Sequence, residues 1–552
     1  MDFFLKTGSH KIAAAMVLAG AAAASLAQPV ALSERVETIA KQRVAAGTYP
    51  SLVFAVVDGD KTSVRVFGTL DGGKPPDGDT VYEIGSITKT FTATLLADAV
   101  LAGRVTLDTP VQQLVPGFRI PQRDGKPITL GLLATQHSGL PRMPTNFKPK
   151  DPANPYADYG PAQLGEFLAA YALPRDPGQS YEYSNLGFGL LGDALAHAAS
   201  QSYGELVTRK LLGPLGMRMS GTGFTDAMRA HLAAGHDMAG HPVANWDFDA
   251  LAGAGALRST ANDMLRYLKA NMGLAPSPLD AAMQFAQTPR REAKEIGRIG
   301  LAWMTSDKGV VWHNGGTGGY RSFIGWSADR RHGVVVLTNT SVSVDDFGFA
   351  VLDATATLEP AHQAVAMPAA ALDRYAGTYR LAEHFLLKVY RVGDQLMTRA
   401  TGQSEVAIYP SGGDEFFLKV VPASITFTRD AQGQVSGLVL HQGGDHPAPK
   451  LGAAELPPEP KEVALDPATQ PDYVGEYKFD FGAPFEVTLR EGQLSARLGD
   501  QPAFPIFASG KDKFFLKVVD AQLDFERDAQ GKVVAVVLHQ NGRDMRAANV
   551  SH

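Results

Sequence analysis

The sequence predicts a multidomain protein. A mixed α/β domain, with an antiparallel sheet flanked by helices, is followed by two small antiparallel β-barrels. Three observations carry this expectation. Strand-like runs stand at both ends of the region 28–358 with helical patterns between them, as in a layered sheet closed by both ends of the chain. After Glu359-Pro360 the composition shifts to the linker-like stretch "PAHQAVAMPAAA". Finally, "DEFFLKVVPASITFTRDAQGQVSGLVLHQ", starting at Asp414, recurs as "DKFFLKVVDAQLDFERDAQGKVVAVVLHQ", starting at Asp512, an offset of 98 residues.

In the first region, "SLVFAVVDGDKTSVRVFG" (51–68) is two apolar runs around Asp58-Gly59-Asp60 and reads as a β-hairpin. "TKTFTATLLADAVLAGR" places Phe91, Leu95, Leu96 and Val100 on one helical stripe, with Gly103 as the stop. "LGFGLLGDALAHAAS" (186–200) and "ANDMLRYLKANMG" (261–273) read as further helices. "GLAWMTS", "GVVWHNG", "GYRSFIGWS" and "HGVVVLTNT" then read as strands joined by short turns, hence an antiparallel sheet. The repeat units, 372–455 and 470–552, are separated by "LPPEPKEVALDPATQP". Each holds short alternating strands and turns such as "RDAQG". Consecutive hairpins of this kind suit an up-and-down barrel, which leaves no exposed edge.

The first residues place Lys6 and Lys11 before an apolar run from Ile12 to Ala24, and Ser25-Leu26-Ala27 offers small residues for cleavage. Residues 1–27 are therefore expected to be a secretory signal peptide, with the mature protein periplasmic or secreted and without a stable membrane anchor. The chain has 552 residues and no cysteine, which excludes disulfides, a thiol nucleophile and a lipid anchor on cysteine. The net charge of −6 is small, and no Lys/Arg block suggests a nucleic-acid partner.

Ser86 opens the predicted helix, with Lys89 one turn on. At that place backbone N–H groups are free and the helix dipole is positive, both of which help stabilise an alkoxide and the oxyanion it forms on attack. A lysine held near the serine is partly buried, burial lowers its pKa, and a neutral lysine can take the serine proton. The alternative is that Ser86 only caps the helix, and Ser-x-x-Lys alone does not decide between the two. A second element, Tyr183-Ser184-Asn185, precedes another helix. A tyrosine near a cationic lysine has a lowered pKa and can shuttle protons, and the Asn185 amide can bond both Lys89 and a substrate carbonyl. The alternative there is a helix cap by Ser184 or Asn185. A third, His313-Asn314-Gly315-Gly316, ends a strand, where glycines let a substrate lie against the backbone and an open edge can pair with a peptide-like ligand. A plain glycine-rich turn is the alternative.

With "SITK", "YSN" and "HNG" in this order, and with "LDTPVQQLVPGF", "ITLGLLATQHSGLP" and "AGALRSTANDMLRYL" around them, the chain resembles the penicillin-recognising serine hydrolases. It resembles specifically the class C β-lactamase-like branch, which also holds D-aminopeptidases, DD-carboxypeptidases and esterases. The resemblance implies Ser86 as the acylated nucleophile, Lys89 and Tyr183 sharing general-base and general-acid duty, and Asn185 orienting Lys89 and substrate. It implies an oxyanion hole from the N–H groups of Ser86 and Gly316, with His313 and Gly315 on the opposite wall. β-Lactamases of the family carry lysine at the place of His313. A neutral histidine there argues against a fixed cation for a substrate carboxylate, and histidine is found among the aminopeptidases and esterases. A hydrolase domain with two lipocalin-like barrels is similar in architecture to bacterial D-aminopeptidases, in which a barrel loop reaches the active site.

The expected activity is an exported serine hydrolase acting through an acyl-enzyme, with no metal or cofactor. Its expected substrates are short D-amino-acid peptides or amides or small esters. A β-lactamase or DD-carboxypeptidase is the near alternative, and a non-catalytic receptor with ligand-holding barrels is the alternative of another class. His231, His236 and His241 are spaced by five and read as a surface loop, since that spacing does not gather ligands on one helix face. His441 and His539, at equivalent repeat positions, read as outward-facing strand residues. Of Trp246, Trp303, Trp312 and Trp326, Trp312 is the candidate for stacking on substrate. No G-x-S-x-G occurs, so the α/β-hydrolase route lacks its motif.

Overall fold

Strand Ser51–Asp58 pairs on one side with Lys61–Gly68 and on the other with His332–Thr338, so the two ends of the first region meet in one sheet. This is seen in a computed structural model. It describes residues 32–550 except 295, 383–384, 402, 404, 420–422, 443, 453–460, 480–483, 491, 500–502, 517–520 and 541–542. The expected signal peptide lies outside the described residues. Beyond His332–Thr338 the sheet continues antiparallel through Arg321–Trp326, Val311–Gly316, Met304–Thr305, Gly297–Ile299 and Arg291–Ala293.

Both faces of this sheet are covered, and strand alternation sorts the residues between them. Val53, Ala55, Val57, Val335, Leu337, Ile324 and Trp326 face the large helical core. Leu52, Phe54, Val56, Val334, Val336 and Phe323 face a second core under helices Glu34–Ala45 and Asp345–Leu352. This two-sided burial is why "SLVFAVV" is a continuous apolar run and not an alternating one.

Helix Thr88–Leu101 differs from the one-stripe expectation, because it is buried almost all round. Its threonines make that possible by bonding inward. Thr90 donates to the Ile87 carbonyl and Thr94 to the Thr90 carbonyl, while Thr92 reaches the Gly253 carbonyl. Phe91 stacks on Tyr267 of helix Ala261–Met272, with ring centres 3.9 Å apart. The expected strand "GLAWMTS" is shortened to Met304–Thr305. Ala302 takes a left-handed φ of 63°, and the resulting turn drives Trp303 into the core against Trp326, centre to centre 4.7 Å.

Each repeat forms eight antiparallel strands joined in chain order. The second closes, since Gly475–Phe479 pairs with Arg543–Asn549. The first nearly closes, its first and last strands meeting at the Tyr379–Lys450 bridge. Equivalent side chains make equivalent bonds: Tyr379 donates to the Tyr375 carbonyl at 2.6 Å and Tyr477 to the Tyr473 carbonyl at 2.8 Å. Each repeat has its own aromatic-rich core.

Two further expectations change. His236 is not on a surface loop; it is buried, and its Nδ1 lies 3.2 Å from the Asn339 carbonyl oxygen. Among the described residues no group of three or more His, Cys, Asp or Glu could hold a metal ion. Trp312 lies on the far face of its strand, packed on Phe323 and Phe349, away from the face that carries His313. It is a core residue and cannot stack on a ligand beside His313. His441 and His539 are half-exposed strand residues, each bonded to an aspartate at 2.7 Å.

Candidate active site

Ser86 sits in a single 3₁₀ turn, Gly85–Ile87, that runs into helix Thr88–Leu101. It does not cap that helix: the N-cap position falls to Ile87, and no side chain caps it. The hydroxyl is bonded to Lys89 instead, Oγ to Nζ 2.8 Å.

Lys89 is fully buried. Its Nζ also donates to Asn185 Oδ1 at 2.9 Å and to the Ala254 carbonyl at 2.7 Å. Those two groups can only accept, whereas the Ser86 hydroxyl can also donate. The cluster thus suits an ammonium with three acceptors. It equally suits a neutral amine that keeps two N–H bonds and accepts from Ser86. Burial, aided by the nearby Arg142 charge, pushes the Lys89 pKa well down. The proton between Ser86 and Lys89 is therefore the mobile one.

Small residues bring the Ala254 carbonyl within reach. A Cβ on Gly192 would lie 2.7 Å from Gly253 Cα, so only glycines let the turn Ala252–Gly255 press onto helix Asn185–Ala198. Asn185 is the first residue of that helix, and Ser184 caps it, accepting from the Gly187 N–H at 2.8 Å. The preceding turn is tied to the loop after residue 135. Ser184 N–H donates to Gln136 Oε1 at 2.8 Å, and Ser184 Oγ donates to the Pro141 carbonyl at 2.6 Å. Tyr183 is thereby fixed with its ring centre 4.9 Å from Lys89 Nζ, close enough to Ser86 for that hydroxyl to lower its pKa.

The expected lowering of the Tyr183 pKa does not occur. Burial raises it to about 12, against the smaller lowering by the Ser86 bond and Arg142. At neutral pH it is a phenol and can give a proton.

The third wall is strand Val311–Gly316. Its neighbour Met304–Thr305 pairs only with Trp312 and Val311, so on that side Asn314, Gly315 and Gly316 are left as an open edge beside Ser86. The approach of this edge to the nucleophile requires glycine on both sides. Gly85 has φ +48°, and a Cβ there would meet Gly316 N at 2.6 Å. A Cβ on Gly315 would meet the Ile84 carbonyl oxygen at 2.0 Å. His313 is buried on this wall, with ring centre 6.5 Å from that of Tyr183. Burial, with the Lys89 charge second, lowers its pKa to about 3. It is neutral, and Nδ1–H donates to the Asn314 carbonyl at 2.6 Å, which leaves Nε2 as an acceptor.

All seven sequence-predicted residues, Ser86, Lys89, Tyr183, Asn185, His313, Gly315 and Gly316, thus belong to one pocket. Sequence reasoning missed three contributors. The Ala254 carbonyl carries no side-chain signature. An aromatic wall of Tyr156, Phe248 and Trp246 comes from segments distant in sequence, with Tyr156 stacked 4.4 Å from Phe248 and its hydroxyl 3.5 Å from Asn185 Nδ2. Arg142, its guanidinium carbon 5.1 Å from the Tyr183 ring centre, reads in the sequence as an ordinary surface charge.

A buried lysine on a serine, a tyrosine beside that lysine and an open strand edge opposite are the site of a serine hydrolase. It belongs to the Beta-lactamase family, whose model matches residues 36–357. Residues 361–455 and 459–549 each match a domain of unknown function, DUF3471. Among curated proteins, the chain is 28% identical over 356 residues to D-alanyl-D-alanine-carboxypeptidase/endopeptidase AmpH of Escherichia coli (strain K12), covering 60% of this chain and 90% of that protein. It is 26% identical over 324 residues to protein flp of Staphylococcus aureus (strain NCTC 8325 / PS 47), covering 55% and 63%. Among solved structures, a class C β-lactamase shares the fold with TM-score 0.52 at 23% identity, over 59% of this chain and 97% of that one. A β-lactamase/D-alanine carboxypeptidase from Yersinia pestis superposes with TM-score 0.51 at 25% identity, over 57% and 93%.

Proposed function

We propose that this protein hydrolyses amide or ester bonds of small substrates, foremost short peptides or amides containing D-residues, through an acyl-enzyme on Ser86. The observation that carries the reading is the 2.8 Å contact between the buried Lys89 amine and the Ser86 hydroxyl.

Neutral Lys89 takes the Ser86 proton as Oγ bonds to the substrate carbonyl carbon. The carbonyl oxygen, now negative, is held by the N–H groups of Ser86 and Gly316. The bond to the leaving atom then breaks, and that atom takes the proton of the Tyr183 phenol. The phenolate left on Tyr183 is reprotonated by the Lys89 ammonium beside it, which restores both groups. In the second half, water gives a proton to the same pair and attacks the acyl carbon, releasing the acid and restoring Ser86. Asn185 keeps Lys89 in place through Oδ1 and presents Nδ2, whose protein partners are long, to a substrate carbonyl. His313 and Gly315 form the wall along which the substrate backbone lies.

The similarity to AmpH, a D-alanyl-D-alanine-carboxypeptidase/endopeptidase, supports D-residue peptides as substrates. Export to the periplasm or medium rests on the N-terminal sequence. Among the described residues, which do not include that segment, no helix is long and apolar enough to cross a membrane. We further assign residues 28–358 as the catalytic unit and 372–455 and 470–552 as barrel units.

A panel of D-alanyl anilide, a chromogenic cephalosporin and short-chain nitrophenyl esters, with Ser86→Ala as blank, tests the reading. Turnover of the anilide or esters that vanishes in Ser86→Ala is expected. Dominant cephalosporin turnover would reverse the substrate order, and turnover that survives in Ser86→Ala would reject the mechanism.

A further inference from the structure

With a neutral histidine at position 313, the strand wall of the pocket has no cation but Arg321, whose guanidinium is bonded to carbonyls. The opposite wall has one. Arg142 follows Pro141 in the loop that anchors Ser184, and its own carbonyl accepts from Asn185 N–H at 3.0 Å and Leu186 N–H at 3.3 Å. Its backbone is thus fixed to the first turn of the helix that carries Asn185. Its side chain is exposed, with the guanidinium carbon 5.1 Å from the Tyr183 ring centre.

The other cations of the pocket are engaged. Lys89 has its three partners. Arg321, beside Gly316, donates to the carbonyls of Thr317 and Tyr320 at 2.8 and 2.9 Å. Arg258, behind Trp246, is bonded to Asp247 at 2.9 Å. Among the described residues no carboxylate pairs with Arg142. An unneutralised guanidinium at the mouth of a site that already holds Lys89 favours an anion, and its planar fork matches a carboxylate.

We propose that Arg142 is a specificity-determining residue that binds a carboxylate carried by the leaving-group part of the substrate. The side is set by Tyr183. That phenol gives its proton to the leaving atom, so whatever is attached to the leaving atom lies next to the Tyr183 ring, where Arg142 is. The substrate class is then an acyl-amino acid or peptide cleaved near its free C-terminus, with the anion held from the tyrosine wall and not from the strand wall. This rests on the acyl-enzyme reading above and narrows its substrates.

The test pairs two compounds with one acyl group, an N-acyl-D-alanyl-D-alanine and its C-terminal amide. The preference is the ratio of their kcat/KM values in wild type, Arg142→Ala and Arg142→Lys. The expected result is a wild-type preference for the free carboxylate, expressed in KM. It falls on the order of tenfold to a hundredfold in Arg142→Ala and partly returns in Arg142→Lys. No wild-type preference, or one that Arg142→Ala leaves unchanged, overturns the proposal. If neither compound is hydrolysed, the acyl-enzyme reading fails for peptides and binding decides the inference alone. Calorimetry on Ser86→Ala should then show tighter binding of the carboxylate than of the amide, a difference lost on adding Arg142→Ala. Equal binding of the two overturns it.

Discussion

Lys89 Nζ lies 4.9 Å from the centre of the Tyr183 ring and 2.8 Å from the hydroxyl of Ser86. The proposed base and acid therefore flank one hydroxyl. Lys89→Met should lower kcat/KM by about a hundredfold or more. Removing the amine strands the acceptors Asn185 Oδ1 and the Ala254 carbonyl but also removes a buried charge. These effects oppose, so thermal melting should shift little while turnover collapses.

Tyr183→Phe separates substrates by leaving group. An anilide or peptide nitrogen must be protonated to depart, whereas nitrophenolate leaves without a proton. The variant should lose about a hundredfold on the anilide and much less on nitrophenyl esters. Equal losses on both, in steady-state kinetics, would show that the phenol acts elsewhere in the cycle.

The pH profile follows from the lowered Lys89 pKa. Activity requires the neutral amine, so kcat/KM should fall as pH drops through that pKa, below the ordinary lysine range. Arg142 contributes to the lowering, so Arg142→Ala should move this acid limb to higher pH. Tyr183, raised to about 12, should give no alkaline limb in the working range.

His313 links stability to pH. Its folded pKa is depressed from 6.5 to about 3. Between those values the unfolded chain binds a proton that the native state does not, so this contribution is present above 6.5 and is lost as pH falls toward 3. Urea denaturation of His313→Asn should show a smaller stability loss than wild type between neutral pH and about 4.

Gly85→Ala tests the contact of nucleophile turn and strand edge. Its Cβ would sit 2.6 Å from Gly316 N on a residue with φ +48°, so backbone must move. The strained φ alone should cost about 1–3 kcal/mol. Acylation should fall further than the melting temperature suggests, because the moved strand carries Gly316, whose N–H is the proposed second donor of the oxyanion hole.

Much of this was legible from sequence. The three motifs predict the pocket because each sits at the boundary of a strongly patterned element: a helix start, a second helix start and a strand end. The duplication predicts two barrels because a repeat of alternating strands must close on itself. Alternation along "VWHNGG" also separates Trp312 from His313, a signal available in the sequence and overridden by the appeal of a tryptophan beside a site residue. Other features had no signal. The Tyr183 pKa depends on burial outweighing nearby charge. The Ala254 carbonyl is backbone, and Trp303 enters the core through a left-handed turn at a non-glycine residue. Arg142 looks like any loop arginine until the fold shows that, among the described residues, no carboxylate pairs with it.

The most direct test of the central claim is covalent labelling with a fluorescent phosphonate, with the modified peptide located by mass spectrometry. The account predicts a single adduct on Ser86, absent in Ser86→Ala and strongly slowed in Lys89→Met. An adduct on another residue, or labelling at the wild-type rate without the lysine, would contradict it.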